Sequence, residues 1–127
     1  MAPYGGPVAS ATVTGPQDER IVRVGVLGCG NVGAALVQQI EGRGDEIAAR
    51  TGVRLQVVKV AVRSLTRKRP VHVDDVLLTR DAAEVVTDPG VDLVVEVIGG
   101  IEPARELILA ALAAGKPVVT ANKELLA

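Results

Sequence analysis

Arg23-Val24-Gly25-Val26-Leu27-Gly28-Cys29-Gly30-Asn31-Val32-Gly33 is the stretch that decides the fold: an apolar, β-branched run breaks into three spaced glycines and then turns amphipathic. The pattern reads as strand, tight turn, helix. In that reading Gly28 makes the turn, Gly30 lets a phosphate approach the backbone, and Gly33 lets the helix lie close on the strand. A bare GxGxxG is generic, and glycines also serve tight βα turns for backbone reasons alone. The buried-strand run before it and the helix after it are the context that points to a dinucleotide. The main-chain N–H groups around Asn31 and Val32, at the positive end of the helix, would then meet the pyrophosphate.

Before this stretch, residues 1–20 are rich in Pro, Gly, Ala, Ser and Thr, with Pro3, Pro7 and Pro16 close together, and read as a disordered leader. The domain is expected over residues 21–127. Residues 21–27 form a strand buried on both faces. From Asn31 the apolar positions Val32, Leu36, Val37 and Ile40 fall at helical spacing. Gly42 and Gly44 each weaken a helix by roughly 1 kcal/mol relative to Ala, so a break and restart is expected there, with Thr51-Gly52 as the stop. Residues 55–62 are a second strand, in which Lys59 implies a face or end near solvent. A basic loop follows, closed by Pro70. Residues 71–80 read ambiguously, with a short third strand at Leu77-Leu78.

Residues 81–86 read as one or two helical turns, and Asp88-Pro89-Gly90 as a turn. Residues 91–98 are the next strand. Pro103 sits near N1 of a helix with apolar positions Leu107, Ile108, Ala111 and Leu112, closed by Gly115. Residues 117–120 are a short strand, and Asn122 is placed to cap a helix starting at Lys123. The alternation predicts an α/β fold: a Rossmann-like, mainly parallel open sheet with helices on both faces. Because the last residues fall in the first turn of a crossover helix, the chain reads as an incomplete part of a longer protein.

Composition narrows the function classes. The 127 residues are 48% hydrophobic, enough for one core, and 14 basic residues balance 15 acidic ones for a net charge of -1. No global field argues for nucleic acid or an anionic membrane. Tyr4 is the sole aromatic residue, which leaves no stacking platform for single-stranded nucleic acid. One cysteine excludes an internal disulfide and offers no zinc cluster, so no metal site is expected and a reducing cytoplasm is the natural home. No apolar run approaches the roughly 18 residues a membrane span needs.

Several residues are candidates for chemistry. An NAD-preferring site usually ends its second strand with Asp or Glu, which accepts hydrogen bonds from the ribose hydroxyls. This sequence has Arg63 there, with Arg67, Lys68 and Arg69 close behind. A guanidinium pairs well with a 2'-phosphate, so NADP is the expected cofactor, with NAD as the alternative; the bland alternative is a solvated basic loop. Cys29 fills a variable position of the turn and is assigned no chemistry, and His72 reads as a surface histidine. Glu96, near the end of a buried strand, needs a partner, either a structural ion pair or a substrate-side contact. Gly99-Gly100 lies at the carboxyl edge of the sheet, where ligands bind in open α/β folds. Lys123 in the first turn of a helix opposes the helix dipole, a mildly unfavourable placement that hints at function.

Gly28-Cys29-Gly30-Asn31-Val32-Gly33, Val94-Val95-Glu96-Val97-Ile98-Gly99-Gly100 and Val119-Thr120-Ala121-Asn122-Lys123 together resemble the amino-terminal nucleotide domain of homoserine dehydrogenases. The likeness covers nearly everything after the leader, and the second and third motifs at this separation are the specific part of it. The resemblance implies a reversible NAD(P)-dependent reduction of aspartate 4-semialdehyde to L-homoserine, on the route to threonine, methionine and isoleucine. It implies that Lys123 lies near the nicotinamide and the substrate, helping to position the substrate and assisting proton transfer as the catalytic residue. Cofactor contacts are then expected at Gly28, Gly30, Asn31, Val32, Gly33, Arg63, Gly99, Thr120 and Lys123. Further substrate-binding groups, including a second lysine, would belong to a downstream domain, and a homo-oligomer is expected of the full-length protein. Two alternatives use the same turn: a non-catalytic dinucleotide sensor, and a related dehydrogenase of another small aldehyde or imine.

Overall fold

A computed structural model describes residues 19–28, 30–63, 65, 73–98 and 102–120. The leader, Cys29, the basic residues Arg67, Lys68 and Arg69, His72, Gly99-Gly100 and the segment from Ala121 onward, with Asn122 and Lys123, lie outside the described residues. In chain order the elements are β1 (Arg20–Leu27), α1 (Asn31–Gly42), α2 (Gly44–Thr51), β2 (Val53–Ala61), a 3-10 turn (Asp75–Leu77) and β3 (Leu78–Thr79). Then come α3 (Ala82–Thr87), β4 (Leu93–Glu96), α4 (Ala104–Ala113) and β5 (Val118–Thr120).

All the described strands are parallel, in the order β3-β2-β1-β4-β5. The chain therefore builds outward from β1 on one side, returns, and builds outward on the other, which makes the gap beyond β1 and β4 a topological switch point. The strand ends line up across the sheet: Thr79 pairs with Ala61, Ala61 with Leu27, Leu27 with Glu96 and Glu96 with Thr120. That row is the carboxyl edge.

The central strand explains the layers. Val24 and Val26 pack with Val37 and Ile40 of α1 on one face, while Leu27 packs with Val85 and Val86 of α3 and Ala111 of α4 on the other. Gly25 faces the second layer, where an added Cβ would lie 2.6 Å from Val85 Cγ1, so the strand carries a glycine because α3 rides directly on it. Burying each of these branched side chains contributes about 1.5–3 kcal/mol. The buried stripe of α1 is Gly33, Ala34, Val37 and Ile40. Val32, expected on that face, is instead 63% exposed, because the helix turns Gly33 toward the sheet and so carries its neighbour out to solvent. Leu112 of α4, also expected on the apolar face, is exposed for the same reason: Ala104 and Ala111 face the sheet.

The expected helix break falls at Arg43, and α2 stops at Gly52, whose φ of 75° is left-handed. Asp81 caps α3 by accepting a hydrogen bond from the Ala83 N–H. Pro103 occupies the cap position of α4 and Gly115, with φ 81°, follows its end. The strand expected over residues 91–98 is ordered as β only at Leu93–Glu96, although the Asp92 and Val97 amides on either side still donate to the Arg23 and Leu27 carbonyls of β1. Lys59 is half-buried, its side chain 24% exposed, beside the register shift between Val24 and Gly25 against β2. There it pairs with Asp88 at 2.9 Å and Glu84 at 3.3 Å.

The amino edge of the sheet is fastened by charged groups. Asp92 accepts from the Arg23 backbone N–H at 2.8 Å and from its guanidinium at 3.0 and 3.1 Å, and the guanidinium holds the carboxyl down to a pKa of about 2. The buried Lys116 ammonium donates to the carbonyls of Asp88 at 2.8 Å and Val91 at 3.0 Å, closing the turn before β4 onto the one before β5.

Candidate functional site

The glycine turn sits at the middle of the carboxyl edge and is moored on both sides. The Gly28 N–H donates to the Ala61 carbonyl of β2 at 2.9 Å, and the Val97 N–H donates to the Leu27 carbonyl at 3.0 Å. Gly28 has φ 99°, a left-handed conformation in which a side chain is strained, and a Cβ there would press on the Ile98 backbone at 3.3 Å. Gly33 has no room for a side chain at all. Its Cβ would collide with the Gly28 carbonyl oxygen and lie 3.2 Å from Val97 Cγ2, so the first turn of α1 is seated directly on the turn that precedes it.

Gly30 is the opposite case. Among the described residues a Cβ there would meet nothing within 4 Å, so none of their packing asks for glycine at this position. Beside it begins α1, with no side-chain cap and no acidic residue in its first turn. The first intrahelical bond runs from the Ala34 N–H to the Gly30 carbonyl at 2.9 Å, leaving the N–H groups of Asn31, Val32 and Gly33 ahead of it at the positive helix end. Open space over an unsubstituted backbone, facing a helix N-terminus free of carboxylates, fits a pyrophosphate.

The other expected residues divide. Arg63 is exposed, two residues past the end of β2, at the same edge as the glycine turn. Thr120 ends β5 at that edge, and its hydroxyl donates to Glu96 Oε1 at 2.5 Å. Glu96 itself is 0% exposed and accepts through Oε2 from the Ile98 N–H at 2.7 Å. Gly99 and Lys123 lie outside the described residues. The structure thus brings Gly28, Gly30, Asn31, Val32, Gly33, Arg63 and Thr120 to one edge. The Glu96–Thr120 pairing was not legible in the chain, although a Glu and a Thr each ending a strand of one parallel sheet are the signal for it. Among the described residues no three His, Cys, Asp or Glu side chains are grouped to hold a metal ion. Among them also, no helix is long and apolar enough to cross a membrane.

A parallel sheet in this strand order, with a glycine turn and an open helix N-terminus at its switch point, defines a dinucleotide-binding domain of the Rossmann type. Residues 28–127 match the family model described as the NAD-binding domain of homoserine dehydrogenase. The chain belongs to that family. It is 50% identical over 112 residues to a homoserine dehydrogenase of Mycobacterium tuberculosis, covering 88% of this chain and 25% of that protein. It is 41% identical over 108 residues to the Bacillus subtilis homoserine dehydrogenase, covering 85% of this chain and 25% of that protein. The crystal structure of the Staphylococcus aureus homoserine dehydrogenase at pH 7.5 superposes with a TM-score of 0.77 at 34% identity, over 83% of this chain and 27% of that one. That of the Thiobacillus denitrificans enzyme gives a TM-score of 0.72 at 41% identity, over 85% and 25%. The chain spans about a quarter of the length of the curated relatives it matches. It corresponds to their cofactor-binding part, and its cofactor is a nicotinamide dinucleotide.

Proposed function

We propose that this chain is the cofactor-binding part of an enzyme that interconverts L-homoserine and L-aspartate 4-semialdehyde, in threonine, methionine and isoleucine biosynthesis, with NADP preferred over NAD. The observation that carries the reading is the open backbone at Gly30 against the uncapped start of α1, in a domain of the homoserine dehydrogenase family. The bound nicotinamide would take a hydride from the hydroxyl-bearing carbon of homoserine, or return it to the aldehyde. The chain's own residues bind and orient. The amides of Asn31, Val32 and Gly33 hold the pyrophosphate, and Gly28 and Gly33 keep α1 close enough for them to do so. Arg63 pairs with a 2'-phosphate.

Lys123 orients the substrate oxygen and, as an ammonium, stabilises the alkoxide that develops when hydride adds to the aldehyde. The same group helps move the proton that the hydroxyl loses on oxidation. Residues 1–127 alone are inactive, because the substrate-side groups belong to a further domain. The full-length protein is a homo-oligomer that works in a reducing cytoplasm on a small-molecule substrate, without nucleic acid or membrane.

The test is the full-length protein with L-homoserine and either NADP or NAD, followed by the absorbance of reduced nicotinamide over a pH series. Growth of the signal, faster with NADP, is expected; no growth with either dinucleotide would refute the activity. Lys123→Ala should lose turnover far more than dinucleotide affinity, whereas equal losses would reduce Lys123 to a cofactor contact.

A further inference from the structure

Glu96 is a carboxylate where packing calls for none. It lies on the α3/α4 face of β4 beside Val94 and next to Leu27 of β1, against a cluster of aliphatic side chains. Taking a carboxylate out of water is unfavourable by several kcal/mol unless it is hydrogen-bonded, and an aliphatic residue there would incur no such loss. What the carboxylate does is join two chain segments just where the sheet ends. The β4–β5 ladder closes at the Glu96–Thr120 pair, and the Val97 N–H still has the Leu27 carbonyl. The next amide, on Ile98, donates to Glu96 Oε2 at 2.7 Å. Its other oxygen accepts the hydroxyl of Thr120, its register partner on β5, at 2.5 Å. Both are hydrogen bonds to a charged acceptor, the stronger kind.

We infer that Glu96 is the positioning residue of the carboxyl edge: it clips the end of β4 to the end of β5, holding Ile98 and Thr120 in one register. From those two points the chain runs on into Gly99-Gly100 and into Asn122-Lys123. The inference rests on the proposed oxidoreductase function, since a fixed register at this edge matters for turnover only if those segments bear on the reacting groups. Glu96 acts in this role through Ile98 and Thr120.

The experiment uses the full-length protein and begins with Thr120→Val, which removes the hydroxyl but keeps the shape and β preference of the side chain. Turnover should fall on the order of ten- to a hundredfold, the scale of a small misplacement of reacting groups. Thr120→Ser should restore it. Glu96→Gln, whose amide oxygen can accept from Ile98 while its NH2 donates to Thr120 Oγ1, should keep most of the turnover and the wild-type pH profile, whereas Glu96→Ala should not. Wild-type turnover in Thr120→Val, or a Glu96→Gln variant as impaired as Glu96→Ala with a displaced pH profile, would overturn the inference. Amide hydrogen exchange gives a reading that needs no turnover: Thr120→Val should speed exchange at residues 97–98 together with 119–120. If the wild-type protein fails to oxidise L-homoserine, the proposed function fails on that result alone, and unchanged exchange at those amides separately refutes the clip.

Discussion

The two glycines at 30 and 33 make a matched pair whose alanine substitutions should part company. In Gly33→Ala the new Cβ collides with the Gly28 carbonyl oxygen and comes within 3.1 Å of the Gly28 carbonyl carbon. The obstacle is backbone, held in place by the Gly28 N–H bond to Ala61, so the helix must move instead of the neighbour. Overpacking of this kind costs about 1–3 kcal/mol, and the rigid obstacle puts it at the upper end. Replacing a helical Gly by Ala returns about 1 kcal/mol, for a net loss of about 2 kcal/mol. Because the start of α1 is displaced, affinity for the dinucleotide falls too.

Among the described residues Gly30→Ala meets nothing within 4 Å, and its φ of -84° is not left-handed, so stability should change little. Its methyl group nevertheless occupies the space assigned to the pyrophosphate. Losing one hydrogen bond to a charged group, about 1.5–3 kcal/mol, weakens binding on the order of ten- to a hundredfold. Urea unfolding and calorimetric titration of the full-length protein with NADP read both effects. A Gly33→Ala protein as stable as wild type would refute the tight seat of α1, and a Gly30→Ala protein with wild-type affinity would refute the phosphate site.

Arg63→Ala should weaken NADP on the order of tenfold and leave NAD unaffected, and an unchanged preference in calorimetry would make Arg63 a bystander. Asp92, held at a pKa of about 2 against an ordinary 3.8, contributes stability that is fully present above the ordinary value and is lost as the pH falls through about 2. Asp92→Asn should therefore be weaker than wild type near neutral pH and fall less steeply on acidification, and parallel pH–stability curves would show that the Arg23 pair does nothing for folding. Lys116→Met removes both donors from the turn before β4 and leaves the buried Val91 carbonyl without its partner, so urea unfolding should show a loss of about 1–3 kcal/mol with dinucleotide affinity intact.

The strand–turn–helix at the centre was legible because two of its glycines answer separate steric demands, a left-handed φ at Gly28 and close helix contact at Gly33, while Gly30 is left open among the described residues. The parallel sheet followed from the βα rhythm, whereas its strand order came only from the structure. What the chain did not disclose are the contacts between residues far apart in sequence. Gly25 reads as a small residue in an apolar run, and only the ride of α3 over β1 shows why it is glycine. Lys59 reads as a solvent marker, and only the structure shows its ion pair with Asp88, 29 residues on. Glu96 reads as needing a partner, but Thr120, one of its partners, is 24 residues away and depends on the register of β5. Val32 was misplaced because helical spacing alone does not say which of two adjacent residues faces the sheet when one of them is glycine.

The central claim is that the carboxyl edge around Gly30 is the phosphate seat of a nicotinamide dinucleotide. A crystal structure of the full-length protein grown with NADP tests it most directly. The account predicts the pyrophosphate over Gly30, within hydrogen-bonding distance of the amides at the start of α1, and the 2'-phosphate beside Arg63. A dinucleotide bound elsewhere, or bound with its pyrophosphate away from that helix end, would contradict it.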